Sequence, residues 1–523
     1  MKLFSLFTKL SSKQGSSRVA VNTVIIYVQR FTAAILSLIT TPIVLNALGV
    51  EDYGLYALTV GLVGALAFIN WSLSSATQRF IAFSLGAGDG ERLKRIFATS
   101  LFIHGTYALI LLLIIWVFGG LLAERFLTIP ESKIMLAKTI LKFVSVITFI
   151  NIVTVPFTGL FRAHENFLYL TIIGIIESLL KLVIAVVLIY ISSDKLISYT
   201  SLLLFVSVLL FAINVASCRK LYPEVNLIPS NFDKLISGEM MSFMGWSLLG
   251  AVAVMSRNQG VTVLLNVFFG VVANAAYGIA SQVNFAMGML SQGFIGSISP
   301  QIIKSAGSGE TDRMVYLMRS MTIFTVISVS LAAVPFIMEA PVILKLWLKN
   351  VPEGSVVFSR LVVVFAMLTG LSAGIQTIFD AIGRVKLYNI WVSLILILNL
   401  PIAYLLFKKD LPAYTIIITG MILEVAGLFV RLYLLKRYLF FSVRRFLSDV
   451  AFKILFPVGI LIGLLILLKQ FDISDYLELV LAVFLSLFLY PVIVYNISLD
   501  KTQRAFVCEN ILKFSGSFSK YFK

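Results

Sequence analysis

Long apolar runs, each near the roughly 20 residues that a helix needs to cross a hydrocarbon core, follow one another along almost the whole chain. Short polar, glycine-bearing stretches separate them. About fourteen runs are legible by this measure: 19–45, 54–76, 97–122, 139–160, 168–191, 199–217, 241–269, 272–298, 316–338, 356–378, 387–407, 414–435, 450–468 and 477–495.

The pattern repeats. Asn46, Gly49, Tyr53 and Gly54 return as Asn266, Gly270, Tyr277 and Gly278. Gly88-Asp89-Gly90-Glu91 returns as Gly307-Ser308-Gly309-Glu310, and Phe161-Arg162-Ala163 with Tyr169 returns as Phe379-Asp380-Ala381 with Tyr388. A shared offset of about 220 residues, kept in order and at matching hydropathy boundaries, predicts a duplicated helical unit. The chain then divides into an N-lobe of six helices (19–217), a linker (218–240), a C-lobe of six helices (241–435), two helices without counterparts (436–495) and a basic tail (496–523). Two such halves facing each other across the bilayer centre would make a transporter-like cleft.

Composition agrees: 59% hydrophobic and 13% charged residues are far from the roughly 25% charge of soluble domains. The expected fold class is an all-α integral membrane protein. If the N-terminus is cytoplasmic, the inside segments hold about 25 Lys and Arg and the outside loops about 9, the bias that retains cytoplasmic loops. Both termini are therefore expected in the cytoplasm. The net charge of +17 is spread among loops, which suits anionic headgroups of membrane lipid and argues against a nucleic-acid partner. Residues 1–18 read as a basic, amphipathic interfacial segment rather than a cleaved signal, with Leu3, Phe4, Leu6, Phe7 and Leu10 on one side.

No enzyme constellation is present. His104 and His164 lie in different segments, Cys218 and Cys508 both fall inside, and Gly86-Ala87-Gly88-Asp89-Gly90 lacks the Lys-Ser/Thr of a phosphate loop. Neither cofactor nor metal is expected. The informative residues are polar groups inside the spans, where an ion costs at least about 2.5–3.5 kcal/mol unless it meets a polar cavity or a partner. Gln29 and Arg30 sit in the first run, and Arg257, Asn258 and Gln259 in the seventh. Asn70, Gln78 and Arg79 gather by the second run, and Gln282 and Asn284 in the eighth. These ten are the candidate substrate-binding residues, a cationic and amide-lined wall compatible with phosphate and sugar; interhelical hydrogen bonding is the plainer reading of any single amide. Glu424, Asp380, Glu177 and Lys181 are candidates for ion coupling. Glu177 and Lys181 are one turn apart and suited to pair with each other, whereas Glu424 reads as a carboxylate with no nearby base.

The opening of the repeat resembles a known family. Thr41-Pro42 leading to Asn46, Leu48-Gly49 and Glu51-Asp52-Tyr53-Gly54-Leu55-Tyr56 looks like the start of Wzx-type polysaccharide flippases, and Phe379-Asp380-Ala381-Ile382-Gly383-Arg384 is similar to that family's cytoplasmic loop. The resemblance implies the multidrug/oligosaccharidyl-lipid/polysaccharide exporter fold: two pseudosymmetric six-helix lobes in a V, plus two C-terminal helices. It further implies an undecaprenyl-diphosphate-linked glycan as cargo, the bacterial cytoplasmic membrane as location, and a polysaccharide polymerase and chain-length regulator as partners. The alternatives are a multidrug or other lipid-linked precursor exporter of the same superfamily and a non-transporting scaffold for glycan assembly.

Overall fold

The computed structural model describes residues 16–66, 69–125, 131–192, 194–222, 232–348, 351–439, 441–471, 473–501 and 504. The basic segment expected over 1–18 and the tail expected over 496–523 lie almost wholly outside them, as does Cys508. All regular structure among the described residues is helical. Twelve helices are long and apolar enough to cross a membrane, and the chain is a multi-pass membrane protein. The runs expected at 54–76 and 272–298 are not among the twelve. The first falls on two shorter helices, and the second continues a longer one past a kink.

Two compact units divide the chain. One is chiefly Val21–Leu248 with Ile303–Gly309, and the other chiefly Leu249–Ile302 with Glu310–Lys523. In the first unit, α1 (Ser16–Leu48) stops at Gly49, whose φ of 81° is open to glycine and strained for other residues. Then come α2 (Val50–Leu66), α3 (Ile69–Ala87), α4 (Gly90–Arg125), α5 (Ile134–Ala163), α6 (Phe167–Tyr190) and α7 (Lys195–Leu221). The side chain of Asn166 caps α6 by accepting from Tyr169 N, and Asp194 caps α7 by accepting from Leu196 N and Ile197 N. α5 is the central helix, packed against α2, α3, α4, α6 and α7. Its buried Ile140, Leu141, Val144 and Ile152 join Leu111, Ile115, Ile184, Leu188 and Leu203 in one apolar core.

In the second unit, α8 (Lys234–Gly307) enters from the first and bends at Gly270, where φ is 74° and ψ −166°. Its start is capped by Asp233, which accepts from Leu235 N at 2.9 Å and Ile236 N at 3.1 Å. These amides, together with Arg95 at 3.1 Å, hold the Asp233 carboxyl below the usual carboxylate range. The helices α9 (Thr311–Trp347), α10 (Ser355–Gly370), α11 (Ala373–Ile382), α12 (Val385–Phe407) and α13 (Thr415–Tyr438) follow. Pro335 and Pro341 kink α9 near Glu339. Pro341 has no N–H to give to Ile337 O, and Arg360 Nε supplies that bond instead at 2.8 Å.

The helices α14 (Val443–Leu468) and α15 (Asp475–Phe484) pack mainly on α9, and α16 (Tyr490–Ile497) packs on α14. Polar links run along this seam. Arg319 meets Asp449 at 3.3 Å, Ser330 Oγ lies 2.6 Å from the Tyr490 hydroxyl, and Lys469 Nζ sits between Glu339 at 3.1 Å and Glu478 at 3.3 Å. Of these groups Ser330, Tyr490 and Glu339 are buried, while Lys469 is exposed.

The duplication is visible in the backbone. Positive φ occurs at Gly49 and Gly270, at Gly88 and Gly309, and at Glu165 and Gly383. The aromatic landmarks also repeat as contacts. Phe161 stacks on Tyr169 (ring centroids 3.9 Å) and meets Tyr222 edge-on (5.3 Å), while Phe379 stacks on Tyr388 (4.7 Å) and meets Tyr438 edge-on (6.2 Å).

Candidate functional site

In the first unit, α1 lies along α6 because the sequence removes a side chain where they meet. A Cβ on Gly174 would collide with the Gln29 side-chain amide, so glycine there lets Gln29 rest on α6. One turn below, Thr171 Oγ1 donates to Ile25 O at 3.4 Å, and Phe167 packs with Ile25 and Ile26. This pairing fixes the height of Arg30, which lies inside the first span. The Arg162 guanidinium, at the C-terminal end of α5, lies within electrostatic reach of Arg30. Among the described residues neither arginine has a carboxylate within ion-pair distance. The negative end of the α5 dipole compensates Arg162 in part. Two guanidinium groups within electrostatic reach of each other leave a net positive charge in this neighbourhood.

Glu177 and Lys181 pair with each other at 2.6 Å on an accessible side of α6. Arg79 rests among aromatic rings instead, with its guanidinium carbon 4.5 Å from the Phe80 centroid, 5.1 Å from Phe83 and 5.5 Å from Phe243. Gln78 is half-buried nearby, and the buried Asn70 Oδ1 has no hydrogen-bond partner.

The second unit uses the same helix pair with the roles exchanged. Here Gly250 on α8 accommodates an amide from α12, and a Cβ on it would stand 2.9 Å from Asn389 Oδ1. Arg257 lies over Phe365 at 5.1 Å and within electrostatic reach of Glu424, Tyr277 and Arg431. Glu424 is not the isolated carboxylate expected from sequence: Arg431 Nη1 lies 2.6 Å from Glu424 Oε1, and the side chains are 7% and 6% exposed. The same Nη1 donates to Ser372 Oγ at 3.0 Å, and the Tyr388 hydroxyl bonds the same guanidinium. Asp380, in the last turn of α11, adds negative charge near Tyr388. Asn258, Gln259, Gln282 and Asn284 are exposed on the two arms of α8.

The structure therefore gathers Arg257, Glu424 and Asp380 into one neighbourhood, and Gln29 with Arg30 into another. Arg79 is turned to aromatic surface. Arg162, Arg431, Ser372 and Tyr388 belong to these neighbourhoods and were absent from the candidates. Arg431 stands seven residues after Glu424, two helical turns along one face, and that spacing could have revealed it. Arg162 is the repeat counterpart of Asp380, so the equivalent position carries opposite charge in the two units.

Comparison with known proteins fits this architecture. Residues 26–187 match the family model described as MatE. The chain is 24% identical over 272 residues to the "Uncharacterized membrane protein EpsK" of Bacillus subtilis (strain 168); the match takes in 52% of this chain and 53%, about half, of that relative's length. A solved structure of MATE in the bent conformation superposes with a TM-score of 0.71 at 15% identity, covering 81% of this chain and 96% of that one. A MOP superfamily transporter from Pyrococcus furiosus Vc1 (DSM3638), described as having a binding pocket of reverse polarity, superposes with a TM-score of 0.64 at 16% identity, covering 79% and 95%. The chain has the fold of the MATE structures.

Proposed function

We propose that the protein is a flippase that carries a polyprenyl-diphosphate-linked oligosaccharide across the bacterial cytoplasmic membrane by alternating access. The observation that carries this reading is the Arg30 and Arg162 pair, two cations within electrostatic reach of each other and without a carboxylate partner among the described residues. Like charges at an apolar boundary repel strongly. A diphosphate removes that repulsion, and each planar guanidinium offers it two parallel hydrogen bonds. The polyprenyl tail can stay in lipid meanwhile, so only the charged and hydroxylated part needs shelter. The transporter whose pocket is described as of reverse polarity supports the view that this fold accepts pockets of either sign. A multidrug exporter for cationic compounds is disfavoured because Glu424, a carboxylate that could receive them, is neutralised by Arg431.

Glu424 and Asp380 remain the proposed coupling residues. Opening and closing the Glu424–Arg431 pair is the event that would admit a coupling ion. Lys and Arg bias in the loops supports cytoplasmic termini.

The reading is tested in proteoliposomes by following translocation of a short-chain lipid diphosphate bearing a disaccharide. Translocation by the wild-type protein, abolished in Arg30→Ala and Arg162→Ala, is expected. Transport of a cationic dye with no movement of the lipid diphosphate would overturn the flippase reading in favour of drug export.

A further inference from the structure

One side of the central helix of the first unit carries a row of polar residues of which the anion site uses only Arg162. Thr148, Asn151, Thr154, Thr158 and Arg162 lie on one side of α5, spaced by three or four residues, and all are at least partly accessible, whereas Ile140, Val144, Ile152, Phe157 and Leu160 of the same helix are buried. At 1.5 Å per residue the row is roughly 21 Å long. α5 packs against five helices, and polar groups turned to hydrocarbon would be costly, which argues against lipid as the neighbour of this row.

The hydrogen bonding of the row is directional. Thr148 donates to Val144 O at 2.9 Å, Thr154 to Ile150 O at 2.7 Å and Thr158 to Val155 O at 3.0 Å. Each hydroxyl proton is thus spent on the helix, and each oxygen turns outward as an acceptor. Asn151 makes no hydrogen bond to a described residue, which leaves its amide free to donate as well as accept. Such a row matches a ligand rich in hydroxyl groups with an anion at one end.

The repeat sharpens the assignment. The residues 218 positions after Thr154 and Arg162 are Ser372 and Asp380. In the second unit the counterpart of Thr154 is closed off, since Ser372 is buried and its hydroxyl is engaged by Arg431, while Gln376, the counterpart of Thr158, is exposed. Among the described residues of the first unit no ion pair covers Thr154.

We propose that Thr148, Asn151, Thr154 and Thr158 form a ladder that binds the sugar portion of the cargo, beginning beside the Arg30 and Arg162 diphosphate site; this rests on the flippase reading. Sugar hydroxyls donate to the threonine oxygens, and Asn151 supplies the donor for a ring or acetamido oxygen. The ladder would make the protein prefer glycosylated over bare lipid diphosphate.

The test compares binding of farnesyl diphosphate and of farnesyl diphosphate carrying a disaccharide to protein in nanodiscs. In the triple variant Asn151→Leu/Thr154→Val/Thr158→Val, affinity for the disaccharide-bearing lipid should fall about tenfold or more, as loss of two or three hydrogen bonds implies. Affinity for farnesyl diphosphate should be unchanged. Equal loss for both lipids, or no loss for either, would overturn the ladder while leaving the diphosphate site standing. Failure of the wild-type protein to bind either lipid would instead defeat the flippase reading and the ladder with it. If the triple variant does not fold, Asn151→Leu alone decides, since its side chain bonds no described residue.

Discussion

Gly86 and Gly307 lie back to back. A Cβ on Gly86 would overlap the carbonyl oxygen of Lys304, and a Cβ on Gly307 would overlap that of Phe83. The contact is reciprocal, because Phe83 and Gly86 lie 221 residues before Lys304 and Gly307. Each copy of the repeated segment thus presents a glycine to the other's backbone. Beside them Lys304 Nζ meets the buried Glu165 at 2.8 Å, holding a non-glycine residue at φ 58°.

Gly86→Ala and Gly307→Ala should each destabilise the protein by about 1–3 kcal/mol, since backbone rather than a flexible side chain must give way. Thermal unfolding in detergent should show a clearly lowered midpoint for each. Gly54→Ala, whose Cβ would meet nothing within 4 Å, should be near neutral. Equal midpoints for all three would contradict the close crossing.

Arg431→Leu should cost about 3–5 kcal/mol by leaving Glu424 buried without the guanidinium that bonds it. The double variant Glu424→Leu/Arg431→Leu should recover most of that loss, because the unpaired carboxylate is gone. A double-mutant cycle by thermal unfolding checks this. Additive losses would mean that the two side chains do not act as a pair.

How much of this was legible in the chain depends on how far apart the partners lie. The duplication was readable because its markers have local physical demands: Gly49, Gly88, Gly270 and Gly309 supply positive φ, and Phe161 with Tyr169 form a stack across one short turn. The membrane class followed from apolar runs that only helices can carry through hydrocarbon. The Glu424 network was not readable in the same way. Ser372 and Tyr388 reach it from other helices, and Arg431 lies beyond the i+3 and i+4 spacings at which helix pairs are sought. Arg79 was misleading for the converse reason. Its environment is set by Phe80 and Phe83, visible nearby, but also by Phe243 from a helix far along the chain.

Lys469→Met should destabilise the association of α14–α16 with α9, leaving Glu339 and Glu478 without their shared cation. Limited proteolysis should then cleave within or after α14 at least several-fold faster than in the wild type. Tyr490→Phe should cost about 0.5–1.5 kcal/mol, since it removes the hydrogen bond from the Tyr490 hydroxyl to the buried Ser330 Oγ, whose own proton stays on Ile327 O. Unchanged proteolysis and unfolding in both variants would mean that apolar packing alone holds these helices.

The central claim is that Arg30 and Arg162 together hold a diphosphate, and binding of a short-chain lipid diphosphate to the purified protein in nanodiscs tests it most directly. Arg30→Ala and Arg162→Ala should each lower affinity by about tenfold or more, Arg→Lys at either position should recover part of it, and the double alanine variant should lose little beyond either single one. Full-affinity binding by the double alanine variant, with the protein folded, would contradict the account.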